Sequence, residues 1–182
     1  MTEPRIPPLP PDERDPRTEE ILAGLRGQAS EDMNLFATLA RHPRLLKRWS
    51  AFGGTLLMRG ELPARERELV IMRTAANTGA AYEWGHHVPL ARRAGITDDE
   101  VLRLARPLAE GDWEPGDEAL VRAADELHID NRISDGTWAR LAERLSEEQL
   151  IEVCFLVGQY HLVAYTLRSL GIQPEADLDP LP

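Results

Sequence analysis

Prolines and glycines divide the chain into pieces of helical length, and this punctuation constrains the fold more than any other feature of the sequence. Pro43 can open a segment, Leu45–Met58, that Gly60 closes; Pro63 opens Arg65–Asn77, which Gly79 ends. A further segment from about Ala81 to Ala94 stops at Gly95. Proline fits the first helical turn because its missing N–H would have no intrahelical partner there, and glycine fits just past the last turn because it takes a left-handed conformation without strain. Asp15-Pro16 opens a helix over Ile21, Leu22 and Leu25, with Gly27 as its stop, and a short helix about Leu35–Ala40 runs to His42-Pro43. Thr97-Asp-Asp-Glu100 fits a reciprocal capping box before Val101–Ala105. Pro115–Asp130, Ser134–Leu145 and Ser146–Leu170 complete the series. No stretch alternates apolar and polar residues with β-branched enrichment, so no sheet is expected. The expectation is an all-α protein.

Nine of the 14 prolines lie in residues 1–16 and 174–182, which read as extended arms. The 182 residues suit one well-cored domain, so the boundaries expected are an arm over 1–16, a helical domain over 17–171 and a tail over 172–182. With 31 acidic and 21 basic side chains the formal net charge is −10. That balance opposes a nucleic-acid surface, which needs a basic field to displace counterions, and opposes docking on anionic lipid. The sequence reads as having no apolar run of membrane-spanning length and no signal-peptide pattern. Its one cysteine, Cys154, permits neither an internal disulfide nor a Cys-rich metal site. A cytoplasmic protein with no nucleic-acid or membrane partner is the expectation.

The last segment is apolar around most of its circumference from Leu150 to Leu170, the pattern of a helix surrounded by protein. Glu152, Gln159 and Thr166 form a narrow polar stripe on it, read as an exposed or subunit-facing edge.

Two earlier segments carry polar groups on their apolar faces. At 100° per residue Glu68 falls between Ile71, Met72 and Ala75, while Glu66, Arg67, Arg73 and Asn77 supply a solvated side. A carboxylate in an apolar stripe is costly unless paired or protonated. Glu68 is therefore a functional candidate, weighed against a buried ion pair with Arg65. His87 shares its face with Ala80, Trp84, Leu90, Ala91 and Ala94, and Glu83 lies one turn before it. His86 points about 100° away, towards Arg93 and Tyr82. Pro89 crowds the Gly85 carbonyl and can kink the helix there. Tyr82, Trp84 and His161 are outer candidates; the plainer account of His161 is a histidine donating to a backbone carbonyl one turn back. His128, near a helix end, needs no more than the favourable terminus charge. Two carboxylates and a histidine also leave a divalent-metal site open as a weaker alternative.

The stretch Leu62–Gly95, LPARERELVIMRTAANTGAAYEWGHHVPLARRAG, resembles the carboxymuconolactone decarboxylase family and its alkylhydroperoxidase D-like relatives. ADELHIDNRISDGTWARLAERLSEEQLIEVCFLVGQYHLVAYTLRSLG downstream is similar to the same family. The resemblance implies an all-α alkylhydroperoxidase D-like helical bundle, assembled as a homotrimer or homohexamer, and it implies no metal or other cofactor. In the alkylhydroperoxidase branch a Glu, a Cys-x-x-Cys pair and a His form a proton relay and a dithiol. The Glu-to-His spacing matches Glu68 and His87, whereas the cysteine positions fall on Ala80 and Glu83. A dithiol peroxidase needs one thiolate to attack peroxide and a second thiol to resolve the sulfenic acid. Ala80 and Glu83 can do neither, so a peroxiredoxin-type activity is disfavoured. The reading left is a cofactor-free acid–base site of Glu68, Glu83 and His87, with Tyr82, Trp84 and His161 against the substrate. Such a site suits decarboxylation or isomerisation of a small lactone-type or cyclic organic acid, with Arg65 or Arg73 available for a substrate carboxylate. The alternatives are a peroxidase-like protein and a non-catalytic oligomeric small-molecule-binding protein.

Overall fold

The computed structural model describes residues 3–25 and 33–182, and no strand occurs among them. Nine α-helices follow one another among the described residues: α1 (Pro16–Ala23), α2 (Asn34–Leu39), α3 (Pro43–Met58), α4 (Ala64–Thr78), α5 (Ala81–Arg93), α6 (Asp98–Leu104), α7 (Pro115–Asp130), α8 (Asp135–Ala142) and α9 (Glu147–Leu170). An all-α fold is what the punctuation predicts. The helix starts are held by local caps: the Asp15 side chain accepts from the Thr18 N–H at 2.7 Å, and Nδ1 of His42 accepts from Leu45 at 3.3 Å. Thr97 and Glu100 close both bonds of the capping box. Gly79 ends α4 at φ 63°, the left-handed conformation its position requires.

Three boundaries differ from the sequence reading. α1 ends at Ala23 with Gly24 as its cap, and Gly27 lies outside the described residues. α8 stops at Ala142, where the Arg144 and Leu145 N–H groups both turn back onto the Leu141 carbonyl. A 3-10 turn at Pro11–Glu13 interrupts the amino-terminal arm.

Where the sequence reads as one domain over 17–171, the chain forms two compact units. The first comprises residues 1–59 and 165–177. Its core is Leu22, Leu25, Ala40 and Leu46, with Leu9, Ile21, Phe36, Leu39 and Trp49 packed against it. The arm is bound within this unit: Leu9 donates to the Ala37 carbonyl, Arg5 to the Leu170 carbonyl, and the Arg41 side chain to the Pro7 carbonyl.

The second unit, residues 60–164 and 178–182, is built around α4, which packs on α5, α6 and α7. Leu69, Val70, Ile71, Met72 and Ala75 have no exposed surface. The side of α4 expected to be solvated is in part covered. Arg73 is buried, its guanidinium held by both Asp125 oxygens (2.5 and 2.8 Å) and by the Leu104 and Arg106 carbonyls, and Asn77 also donates to Asp125. A guanidinium can be buried when its fixed fork of donors is filled this way. Residues 178–182 lie on α5 at Gly85, where a Cβ would stand 2.7 Å from the Leu178 Cβ, and Asp179 pairs with Arg92 at 2.8 Å.

α9 corrects the sequence reading twice. By length and composition it could cross a membrane, so the apolar run is longer than expected, and half of that stretch is buried inside the chain. It is not surrounded by its own chain: Val153, Leu156, Val157, Val163 and Ala164 are buried, whereas Ile151, Phe155 and Leu162 are about half exposed. Of the polar stripe, Glu152 accepts from the Glu61 and Leu62 N–H groups, and Gln159 is buried rather than on an exposed edge.

Asp125→Ala would leave the Arg73 guanidinium buried without its counter-charge. We expect a loss of about 3 kcal/mol in urea denaturation, the range for breaking a buried pair from one side.

Candidate active site

The α4–α5 turn brings the two misplaced polar groups together. Gly79 reverses the chain, the Ala80 N–H donates to the Ala75 carbonyl, and α5 begins at Ala81. Glu68 stands about three turns before the bend and His87 about two turns after it. Their side chains meet: Nδ1 of His87 lies 2.8 Å from Oε2 of Glu68. Glu68 has no exposed surface, and its second oxygen accepts from Nε of Arg67 at 3.2 Å. The partner that α4 supplies is thus Arg67. Arg65, the ion-pair partner weighed from the sequence, is bound to Glu100, Asp117 and the Gly95 carbonyl.

Since both Glu68 oxygens accept, the His87 proton sits on Nδ1 and Nε2 is left as an acceptor. Tyr160 of α9 fills it, with its hydroxyl 3.0 Å from Nε2 and its ring edge-on to the imidazole at 5.1 Å. The result is a buried chain from the Tyr160 hydroxyl through His87 to Glu68. Burial, with the negative charge of Glu68 added, pushes the Tyr160 hydroxyl well above the usual phenol range. It therefore keeps its proton at neutral pH.

Glu83 occupies the same face of α5 one turn before His87. It is 3% exposed, and neither carboxyl oxygen has a hydrogen-bond partner. Burial alone pushes it well above the ordinary carboxylate range. Burial thus favours the protonated, uncharged form of Glu83.

The other candidates make different contacts. Tyr82 packs its ring on His86 at 4.5 Å, and Trp84 is 1% exposed in the core. His161 is committed away from the site, donating from Nδ1 to the Val157 carbonyl at 2.9 Å, with Nε2 2.8 Å from Nδ1 of His128. The plainer account of His161 thus describes its geometry. His128 is drawn into that pair, and burial and the neighbouring ring hold it below the usual imidazole range. Among the described residues no group of three or more His, Cys, Asp or Glu side chains is placed to hold a metal. The Cys154 thiol is raised by partial burial and is no poised thiolate.

Tyr160 is the residue that sequence reasoning missed. It falls among Leu156, Val157, Val163 and Ala164 on the buried side of α9, where a tyrosine reads as packing. The available signal is that a buried phenol needs a partner for its hydroxyl.

The helical bundle has the alkylhydroperoxidase D-like fold. Solved structures agree on this fold. An uncharacterized peroxidase-related protein with an alkylhydroperoxidase core from Ralstonia eutropha JMP134 superposes with a TM-score of 0.76 at 19% identity, covering 97% of this chain and 95% of that one. A second uncharacterized peroxidase-related protein, from Silicibacter sp. TM1040, gives 0.80 at 13% identity, covering 97% and 96%. The debrominase Bmp8, solved with 2,3,4-tribromopyrrole, gives 0.77 at 18%, covering 94% and 91%. The carboxymuconolactone decarboxylase family model matches residues 43–126, and no curated protein matches the chain. The family match thus covers under half of the chain, and the solved structures establish an alkylhydroperoxidase D-like fold.

The upward shift of Glu83 sets a pH dependence. Unfolded, the group titrates at its ordinary value of 4.5; folded, it titrates well above that. Between the two the native state binds the extra proton, so the stability contributed below pH 4.5 is lost as pH rises towards the folded value, at up to about 1.4 kcal/mol per pH unit. Glu83→Gln should flatten this slope in urea melts taken between pH 5 and 8.

Proposed function

We propose that the protein is a cofactor-free acid–base enzyme that moves a proton on carbon in a small lactone-type or cyclic organic compound, in an isomerisation or a decarboxylation. The observation that carries this reading is the buried Tyr160–His87–Glu68 chain. As Tyr160 takes a proton from a substrate carbon, its own hydroxyl proton passes to Nε2 of His87, and Glu68 holds the imidazolium. Returning the proton to a different carbon completes an isomerisation; in a decarboxylation no C–H proton is removed, and the Tyr160 hydroxyl proton, afterwards replaced from solvent, goes to the carbanion left by departing carbon dioxide. Glu68, Glu83 and His87 are the proposed catalytic residues, and Tyr160 joins them. Peroxidase-type chemistry is not supported, since Ala80 and Glu83 carry no sulfur and Cys154 lies on a different helix.

Neither arginine considered for a substrate carboxylate is available. Arg65 is held by Glu100 and Asp117, and Arg73 by Asp125 and two carbonyls. The same pairing with Arg65, together with the Thr97 cap, holds the Glu100 carboxyl at about 2.

We also take the enzyme to be a cytoplasmic homotrimer or homohexamer. The support for assembly is on α9, where Ile151, Phe155 and Leu162 share one exposed side with Gly158, at which an added Cβ would meet nothing within 4 Å. An apolar stripe of this kind on an otherwise charged surface suits contact with another helix.

Small lactones, enol-lactones and β-keto acids incubated with the protein in heavy water should take up deuterium at the carbon next to the carbonyl, as read by NMR. His87→Ala should abolish the exchange, Tyr160→Phe should slow it about 100-fold, and His86→Ala and Cys154→Ser should leave it near wild type. Peroxide consumption that depends on Cys154 would overturn the reading. For the assembly, light scattering should give three or six times the 20.4 kDa protomer mass, and Leu162→Glu should reduce it.

A further inference from the structure

Glu83 is the one site group whose hydrogen-bonding capacity the fold leaves wholly unused. Buried carboxyl groups are ordinarily paired, and Glu68 shows how this fold does it, with Arg67 on one oxygen and His87 on the other. Glu83 has nothing on either oxygen at 3% exposure. The cations along α4 and α5 that could pair with it are engaged: Arg65 with Glu100 and Asp117, Arg67 with Glu68, Arg73 with Asp125, and Arg92 with Asp98 and Asp179. An unpaired carboxylate in such a place costs several kcal/mol, so the group keeps its proton. A protonated carboxyl is a donor seeking an acceptor, and the described residues supply none. Tyr160, raised chiefly by burial, is a second group held in its protonated form.

We propose that Glu83 is the hydrogen-bond donor of the site and binds the carbonyl oxygen of an uncharged acyl group, a ketone, ester or lactone, on which negative charge develops during the reaction. This assignment rests on the acid–base reading above. The step balances without an external oxidant or reductant. The substrate C–H bond breaks and its proton goes to Tyr160 as the Tyr160 proton passes to His87. The electron pair stays on the substrate as an enolate, and the Glu83 O–H bonds to the enolate oxygen. A neutral donor suits this oxygen: it strengthens its bond as charge grows and does not have to be stripped of a counter-ion first. It also sets the substrate class, because the site offers no free cation to a carboxylate at this position.

The test has two arms. Infrared difference spectra of wild type minus Glu83→Gln at pH 7 should contain the stretch of a protonated carboxyl; a carboxylate band in its place overturns the proposal. Substituted phenols serve as stand-ins for an enolate, their binding followed by absorbance. Glu83→Ala should weaken binding about tenfold or more, and Glu83→Gln, which keeps a donor, by no more than about threefold. Benzoate should compete poorly. Equal phenol binding by all three proteins overturns the proposal. If phenol binding depends on Glu83 but no carbonyl compound exchanges deuterium, the donor stands and the acid–base reading fails. If exchange occurs while phenol binding ignores Glu83, the donor assignment fails and the acid–base reading stands.

Discussion

A carboxylate with no exposed surface sits in the middle of the most enclosed helix, and it can stay there only if donors reach it from outside that helix. Glu68 is within hydrogen-bond reach of its own neighbour, Arg67, on one oxygen; the other must be met by α5. That requirement fixes how α5 returns along α4 after Gly79, because His87 has to arrive at the level of Glu68. Once the imidazole is committed through Nδ1, its second nitrogen also needs a partner, and α9 has to present Tyr160 there. A single buried charge thus ties three helices of one unit into register. The hydrophobic contacts of α4 supply most of the burial, but they tolerate sliding in a way that a hydrogen bond of 2.8 Å does not.

Glu68 and His87 could be found in the sequence because helical periodicity places each among apolar neighbours, where a polar residue needs a reason. Their contact could not be found that way, since it depends on the direction of the hairpin. Tyr160 escaped because its ring satisfies the apolar pattern and its hydroxyl leaves no trace in it. Arg73 shows the opposite failure. Its position matches the polar side of α4, yet α7 covers that side and meets the charge with Asp125. Periodicity reports which residues share a face, and only packing shows whether a polar face meets water or another polar face. The Thr97 cap and the Pro and Gly boundaries were legible because their causes are local. The true ends of α1 and α8 were not, because the last turns tighten through backbone bonds that no side chain announces.

Replacing a dithiol pair by alanine and a carboxyl changes more than redox capacity. A thiolate at the place of Glu83 would carry charge beside His87, whereas burial favours the uncharged form of the carboxyl found there. The same backbone therefore presents a site of different electrostatic character, and one geometry can serve different chemistries within a superfamily.

The bare backbone at Gly85 has its own consequence. The chain's last residues rest where a side chain would otherwise be, so residue 85 and the tail are bound to change together: a larger residue there excludes the tail, and a chain without the tail loses the reason for glycine. Glycine in mid-helix is unfavourable by roughly 1 kcal/mol relative to alanine, so its presence marks the docked tail as a heritable part of the architecture.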